Sequence, residues 1–556
     1  MRKNESLPEK AHFVGAEKCD FFKDEPNLKL ARLFGGNFRL AILFFAAALL
    51  FSAFSFAQEI NSQGQENPEA FARKEFYKID TVNYDAQGVT KESALSRNVK
   101  IEEGKKFESR EDLEAYILDI KQKLINARLF ETADVEYSIA GEADEDGEIP
   151  VAINVVTVDS RHFLLLPYPK YDSNEGFELK LKFKDANFLG TMSEMEADAF
   201  FRFEQKDGQE NDFVLGGNFG YDLPFTLGKV EASWNNDLSF EYAFVRGEPE
   251  WNFQSGFTFV LPCENIALRL DLTQGTTRDL DYKKFNDELF FTERAKFSVP
   301  IWLDTIPGIG DIVYTPAAEI VYNWDSDGID ILDEDLVSPK LTFSHGISAG
   351  RVNWYGNFRK GFSAGIFQSA AYNFQLNEFQ PGIELRAEAF FAWNRAALAS
   401  RLTLFAEFDS YRRYGHLLRG IPDDQYFSTQ TGMDDVYACK SASALILNLD
   451  VPIKIFSTRF EKGWLKNFNF EVQISPFIDV ALAQNRITGR AFSPLDGFYT
   501  CGVEIIVFPE KWKSVQLRAS AGFDMSRILL KSAVDTSWRD EKASNKEFSI
   551  GIGLFY

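Results

Sequence analysis

One stretch interrupts an otherwise regular chain: RRYGHLLRGIPDDQYF, residues 412 to 427. It is long, turn-rich and mixed in charge. It carries Arg419, whose planar guanidinium can grip a carboxylate through two parallel hydrogen bonds. Further on, NFNFEVQISPFIDV (467 to 480) alternates: Phe468, Phe470, Val472, Ile474, Ile478 and Val480 share one face. Asn467, Asn469, Glu471, Gln473, Ser475, Phe477 and Asp479 share the other, so Asp479 is a carboxylate on a polar side. Nothing else converges on covalent chemistry. His162, His345 and His416 lie far apart and outside any Ser-His-acid or metal spacing. Cys263, Cys439 and Cys501 form no CxxC pair, which argues against zinc; a Cys439–Cys501 bridge is open, with three free thiols the simpler reading. NWDSDGIDILDEDL, residues 323 to 336, lacks the D-x-D-x-D-G spacing of a calcium loop and reads as a solvated acidic loop. The expectation is a protein that is not an enzyme and uses no metal or cofactor.

The elements that must position these residues are strands. From Arg161 to Tyr556 the chain is a succession of dyad-patterned segments separated by polar turns. FELKLKF (177 to 183) sets Phe177, Leu179, Leu181 and Phe183 against Lys180 and Lys182. SVQLRASAGFD (514 to 524) sets Val515, Leu517, Ala519, Ala521 and Phe523 against Ser514, Gln516, Arg518, Ser520 and Asp524. The second face is rich in charge, which a wet lumen permits and a lipid face does not: Lys or Arg at mid-bilayer costs about 2–4 kcal/mol. A closed barrel satisfies every backbone group internally, as a membrane requires. These 396 residues allow about 25 per strand and connection in a sixteen-stranded barrel. Counting segments directly yields eighteen, with over-splitting expected early on, and sixteen antiparallel strands are adopted. The final segment, NKEFSIGIGLFY, alternates Phe548, Ile550, Ile552, Leu554 and Tyr556 with Ser549, Gly551, Gly553 and Phe555. An open edge there would invite aggregation, so it is expected to pair with the first wall strand near His162 to Lys170.

Composition agrees. The chain has 556 residues, 55 of them Phe, and a net charge of -23, which disfavours a nucleic-acid partner. Mean hydropathy is -0.23, too low for a bundle of membrane helices. The one long apolar run, RLAILFFAAALLFSAFSFAQ (39 to 58), follows Arg32 and Arg39 and ends in Ser55-Phe56-Ala57. That is the order of a cleaved export signal, so residues 1–57 are assigned to an extension and signal peptide. The alternative is a retained anchor, since Leu40 to Ala57 just reaches 18 residues.

A polar linker, 58–75, precedes a small α/β module over 76–159. FYKIDTVNYD is a strand, KESALSR a short helix, and SREDLEAYILDIKQKLINARLF a longer one capped by Ser109 with a Leu113, Ile117, Ile120, Leu124 stripe. DVEYSIA and IPVAINVVTV are two more strands. This β-α-α-β-β order resembles a POTRA domain. The turn Gly104-Lys-Lys-Phe107 before the long helix and Ala127-Arg-Leu129-Phe130 after it resemble that family's as well. The resemblance implies a sheet edge that binds other chains by strand addition; a generic spacer domain is the alternative.

Residues 160–556 resemble the barrel of the BamA/TamA-like superfamily of outer-membrane insertases and secretion pores. Leu418-Arg419-Gly420-Ile421 is similar to its VRGF/VRGY loop motif, and Phe477-Ile478-Asp479 to its F-x-D motif on the second strand after that loop. Asn187-Phe-Leu-Gly190 and Asn448-Leu-Asp-Val-Pro452 resemble two further family stretches. Ile421 departs from the usual aromatic, and a single POTRA stands where several are usual. The resemblance implies that the loop folds into the lumen and Arg419 meets Asp479. It also implies the terminal aromatic strand as an assembly signal and the outer membrane as the location, with the POTRA module in the periplasm. The implied partners are unfolded outer-membrane or secreted proteins, periplasmic chaperones or accessory lipoproteins, and outer-membrane lipid. The rivals are a pore dedicated to one secreted partner and a passive porin or structural barrel.

Overall fold

The computed structural model describes residues 76–144, 147–172, 176–204, 212–306, 309–408, 410–421, 439–485, 488–529 and 546–555. The export segment, the linker, the latter part of the interrupting loop and Tyr556 lie outside the described residues.

The small domain runs β1 (Phe76–Gln87), α1 (Glu92–Val99), β2 (Lys106–Phe107), α2 (Arg110–Ala127), β3 (Phe130–Ile139) and β4 (Glu148–Asp159). Its sheet order is β2-β1-β4-β3, with β1 and β4 parallel and β3 antiparallel to β4. Helix α2 starts where the Ser109 side chain accepts the Asp112 amide. Its buried stripe of Leu113, Ile117, Ile120 and Leu124 packs in one core with Ile79, Val151, Ile153 and Val155. Phe107, Leu129 and Phe130 belong to that core too. Gly104, at φ +85°, turns the chain toward β2 while its amide donates to the Ile79 carbonyl at 2.7 Å. Strand β2 is an addition to the expected order: two residues paired with Tyr77 and Lys78 are too few to show a period in sequence.

A closed antiparallel ring follows. Its strands β5 to β13 are Phe163–Asp172, Gly176–Asp185, Met195–Glu204, Asp212–Leu227, Val230–Ala243, Glu248–Cys263, Ile266–Arg278, Leu289–Ser298 with Ile301–Ile306, and Gly310–Trp324. Strands β14 to β22 are Lys340–Tyr355, Phe358–Asn373, Glu378–Ala392, Ala397–Glu407, Ser443–Asp450 with Ile453–Ser457, Phe470–Ala483, Phe498–Pro509, Leu517–Asp524 and Lys546–Ile552. The ring holds twenty paired segments, two of which continue another across a break, so among the described residues the wall has eighteen strands. Pro300 and Pro452 sit at the two breaks, where a residue without an N–H interrupts the ladder. Sixteen is therefore too few. The allowance of about 25 residues per strand and connection is too large. On the rim nearest the small domain, β8 and β9, β10 and β11, and β14 and β15 are each joined by two residues.

The alternation has the predicted sense. Phe177, Leu179 and Leu181 are exposed on the outside, while Glu178 is buried and Lys180 pairs with Asp198 at 3.3 Å within. On β19, Gln473, Ser475, Phe477 and Asp479 are buried and Ile478 is 54% exposed. Apolar side chains exposed on the outer face of strand after strand belong in lipid. No helix among the described residues is long and apolar enough to cross a membrane; the strands do so. No disulfide joins Cys263, Cys439 and Cys501.

Candidate functional site

The interrupting loop joins β17 to β18 on the rim away from the small domain, and five strands follow it, as the sequence indicates. With eighteen strands it is the seventh connection on that rim. Arg412–Arg413 and Lys440–Ser441 form a short ladder at its base. A tight turn over Gly415–Leu417 then sends the chain into the lumen. Tyr414, Leu418 and Ile421 are buried in a cluster with Phe405, Ile446, Ala481 and Phe498. The aliphatic Ile421 thus fills its position at 1% exposure.

Arg419 is 4% exposed and meets two carboxylates at once. Its Nε and one Nη donate to Asp479 at 3.0 and 2.7 Å, and its two Nη groups donate to Asp450 at 2.7 and 3.1 Å. The Arg419 backbone amide also donates to Asp479, at 3.0 Å. A third carboxylate, Glu504, lies 3.3 Å from the guanidinium and 3.2 Å from Arg518. Asp479, Asp450 and Glu504 are all nearly inaccessible to solvent. Two guanidiniums therefore neutralise most of a three-carboxylate cluster that would be prohibitive unpaired. The Phe477 ring covers the Arg419 guanidinium at 3.8 Å and the Phe555 ring lies 4.3 Å from it.

Gly420 takes φ +89°, and a β-carbon there would come within 2.5 Å of the Phe523 amide nitrogen. Only glycine lets the loop backbone lie directly on β21 at Gly522. The Gly420 amide then donates to Glu547 on β22 at 2.5 Å. From Asp450 to Glu547 the loop thus braces five successive strands, β18 to β22.

The terminal segment departs from the reading in sequence. Phe548 and Ile550 face outward, 46% and 49% exposed. The strand ends at Ile552, however, and Gly553 turns the chain at φ +100°. Leu554 and Phe555 line a luminal cavity with Trp354, Asp450, Gln473 and Glu504, so Leu554 does not continue the lipid face. Sequence reasoning also missed Asp450, Glu504 and Phe555 as partners of Arg419. Asp450 had a signal, because it lies within the Asn448–Pro452 stretch singled out above; Glu504 had none beyond alternation.

The small domain is seated on the near rim. Arg128, held in left-handed conformation at the end of α2, donates to the carbonyls of Lys513 at 2.6 Å and Gly356 at 3.2 Å, and to Asn357 Oδ1 at 3.2 Å. It stacks 4.2 Å over Trp354, and burial draws its pKa down to about 10, which leaves it cationic at neutral pH. Asn126 bonds Asn353 and the Trp354 amide, each at 2.9 Å. At a second point Asn187 Nδ2 donates to Thr90 at 2.7 Å and the Gly190 carbonyl accepts the Lys91 amide at 2.9 Å.

No protein-family model matches the chain, and no curated protein matches it in sequence. Among solved structures it is similar to BamA from Haemophilus ducreyi lacking POTRA domains 1–3, at 13% identity over 86% of this chain and 85% of that one, with a TM-score of 0.37. It is similar to CdiB from Acinetobacter baumannii at 10% identity over 85% and 74% of the two chains, TM-score 0.42. CdiB from Escherichia coli aligns at 9% identity over 92% and 98%, TM-score 0.36.

Proposed function

We propose that this protein inserts or translocates other polypeptides at the outer membrane, with the small domain on the periplasmic side. An unfolded client adds a strand to the free edge of β3 and is admitted where the first and last wall strands meet. The barrier lowered is a physical one, and no covalent step is involved.

The observation that carries this reading is the asymmetry of the wall. Strand β22 meets β5 over a shorter stretch than it meets β21, and than β5 meets β6. Each backbone hydrogen bond by which the seam falls short of the joints on either side weakens it by about 0.5–1.5 kcal/mol net. The Arg419 loop braces the strands leading up to it and stops at β22, so the wall is stiff beside the seam and weak at it. Among the described residues β3 pairs with β4 alone in the small domain, which leaves its outer edge for a client strand.

Depletion in the native host, followed by quantification of outer-membrane and exported proteins, tests the proposal. Loss of many outer-membrane proteins is the expected result for a general factor, and loss of one exported protein would assign a dedicated pore. An unchanged complement would overturn both in favour of a passive barrel.

A further inference from the structure

The near rim carries an exposed surface that neither the loop lock nor the small domain uses. The turn from Ser457 to Phe470 presents Phe460, Trp464, Leu465 and Phe468 to solvent, with Trp464 70% exposed. Arg459, Lys462 and Lys466 are exposed on the same turn against a single acid, Glu461. Three cations on one short turn are notable in a chain whose net charge is -23.

The turn is preformed. Asn469 Oδ1 accepts the Phe460 amide at 2.7 Å, and its amide group donates back to the Phe460 and Lys466 carbonyls at 3.3 and 3.4 Å. Thr458 and Phe470 exchange bonds at its neck, the Thr458 amide to the Phe470 carbonyl and the Phe470 amide to Thr458 Oγ1, each at 2.9 Å. Gly463 makes the bend at φ +67°, and Trp464 meets Phe468 edge-on at 5.3 Å. The adjoining turn, 392 to 397, presents Trp393, 61% exposed, beside Arg395. The two turns are tied together, since the Lys454 amide donates to the Arg395 carbonyl and the Ala397 amide to the Pro452 carbonyl, both at 2.8 Å.

We propose that these two turns form one pad that seats in the headgroup layer of an anionic phospholipid leaflet. The aromatic side chains sink to the acyl boundary and Arg395, Arg459, Lys462 and Lys466 hold lipid phosphates. The occupant follows from continuity and charge. The pad runs directly into the apolar exterior through Phe391, Ile455 and Phe456, all exposed. Trp at a bilayer interface and cations at an anionic surface are each favoured there. A water-facing turn would gain nothing from four exposed apolar side chains held rigid.

The pad rests on the membrane reading of the wall, and the experiment separates the two. The full chain, labelled with 5-fluorotryptophan, is placed in nanodiscs containing phosphatidylglycerol. Fluorine resonances of Trp464 and Trp393 are assigned with Trp464→Phe and Trp393→Phe. Both should be broadened severalfold by lipids spin-labelled near the headgroup end of the acyl chain and shielded from an aqueous gadolinium chelate. If they respond to the aqueous probe alone while the wall residues Trp234 and Trp302 respond to lipid, the pad is refuted and the barrel stands. Shielding from both probes would mean a polypeptide covers the turns, which also refutes it. If no tryptophan responds to labelled lipid, the membrane reading itself has failed. As a second readout, native mass spectrometry should show preferential retention of phosphatidylglycerol over phosphatidylcholine. That preference should fall at least threefold in an R459Q/K462Q/K466Q variant; an unchanged preference would overturn the phosphate contacts.

Discussion

Replacing Arg419 by Ala removes one guanidinium and leaves Asp479, Asp450 and Glu504 buried around the space it occupied. Breaking a buried ion pair from one side costs about 3–5 kcal/mol. At about 1.4 kcal/mol per factor of ten, the docked loop should lose a hundred- to several-thousand-fold in population. Trypsin reads this directly, because Arg412, Arg413 and Lys440 flank the docked segment and cleavage follows the open fraction when reclosing is fast. Folded protein, identified by its faster band on unheated gels, should be cut at these sites at least a hundred times faster in R419A. R419K should fall between, since an ammonium holds carboxylates as a point charge without the fork. A simple exchange of Arg419 and Asp479 would not restore docking, because the new aspartate would face Asp450 and Glu504. Neutralising those two as D450N/E504Q in the R419A background should instead recover part of the loss. If folded R419A is cut within threefold of the parent rate, the ion cluster is not what holds the loop.

Three further outcomes follow from the same geometry. Gly420→Ala should undock the loop with Arg419 intact, because the added carbon meets the Phe523 amide at 2.5 Å in a left-handed backbone; parent-like protection from trypsin would contradict the close approach. Phe555→Ala removes one of the two rings over Arg419 and should weaken docking by about 0.5–2 kcal/mol, a clearly smaller effect than R419A in the same assay. Arg128→Ala deletes three hydrogen bonds to the near rim and should speed hydrogen exchange around residues 353 to 357 and 511 to 513 by ten- to hundredfold, at about 1.5–3 kcal/mol for bonds from a charged donor. Unchanged exchange there would mean that the seat is held elsewhere.

The wall was legible because each strand meets lipid on one side and water on the other, so the alternation of FELKLKF or NFNFEVQISPFIDV is written residue by residue. Asp479 could be placed inside from that period alone. The identity of its partner needed a resemblance, since Arg419 lies in a loop with no period to orient it. Asp450 and Glu504 were illegible as ligands for a related reason: a lone carboxylate on a luminal position looks the same whether it meets water or a guanidinium. The strand number miscarried because the direct count of eighteen was discounted as over-splitting, although two-residue turns at the near rim leave room for all eighteen. The inward turn of Leu554 and Phe555 was hidden because a left-handed glycine, Gly553, reads the same as the small residues that alternate through the strand before it.

The account depends most on a closed wall with an apolar exterior and a hydrated lumen. Electrophoresis of the detergent-folded protein, heated and unheated, beside size-exclusion chromatography after detergent removal tests it most directly. A faster-migrating unheated band, and aggregation once detergent is withdrawn, are the predicted results. Identical migration in both lanes, or a monodisperse species in plain buffer, would contradict it.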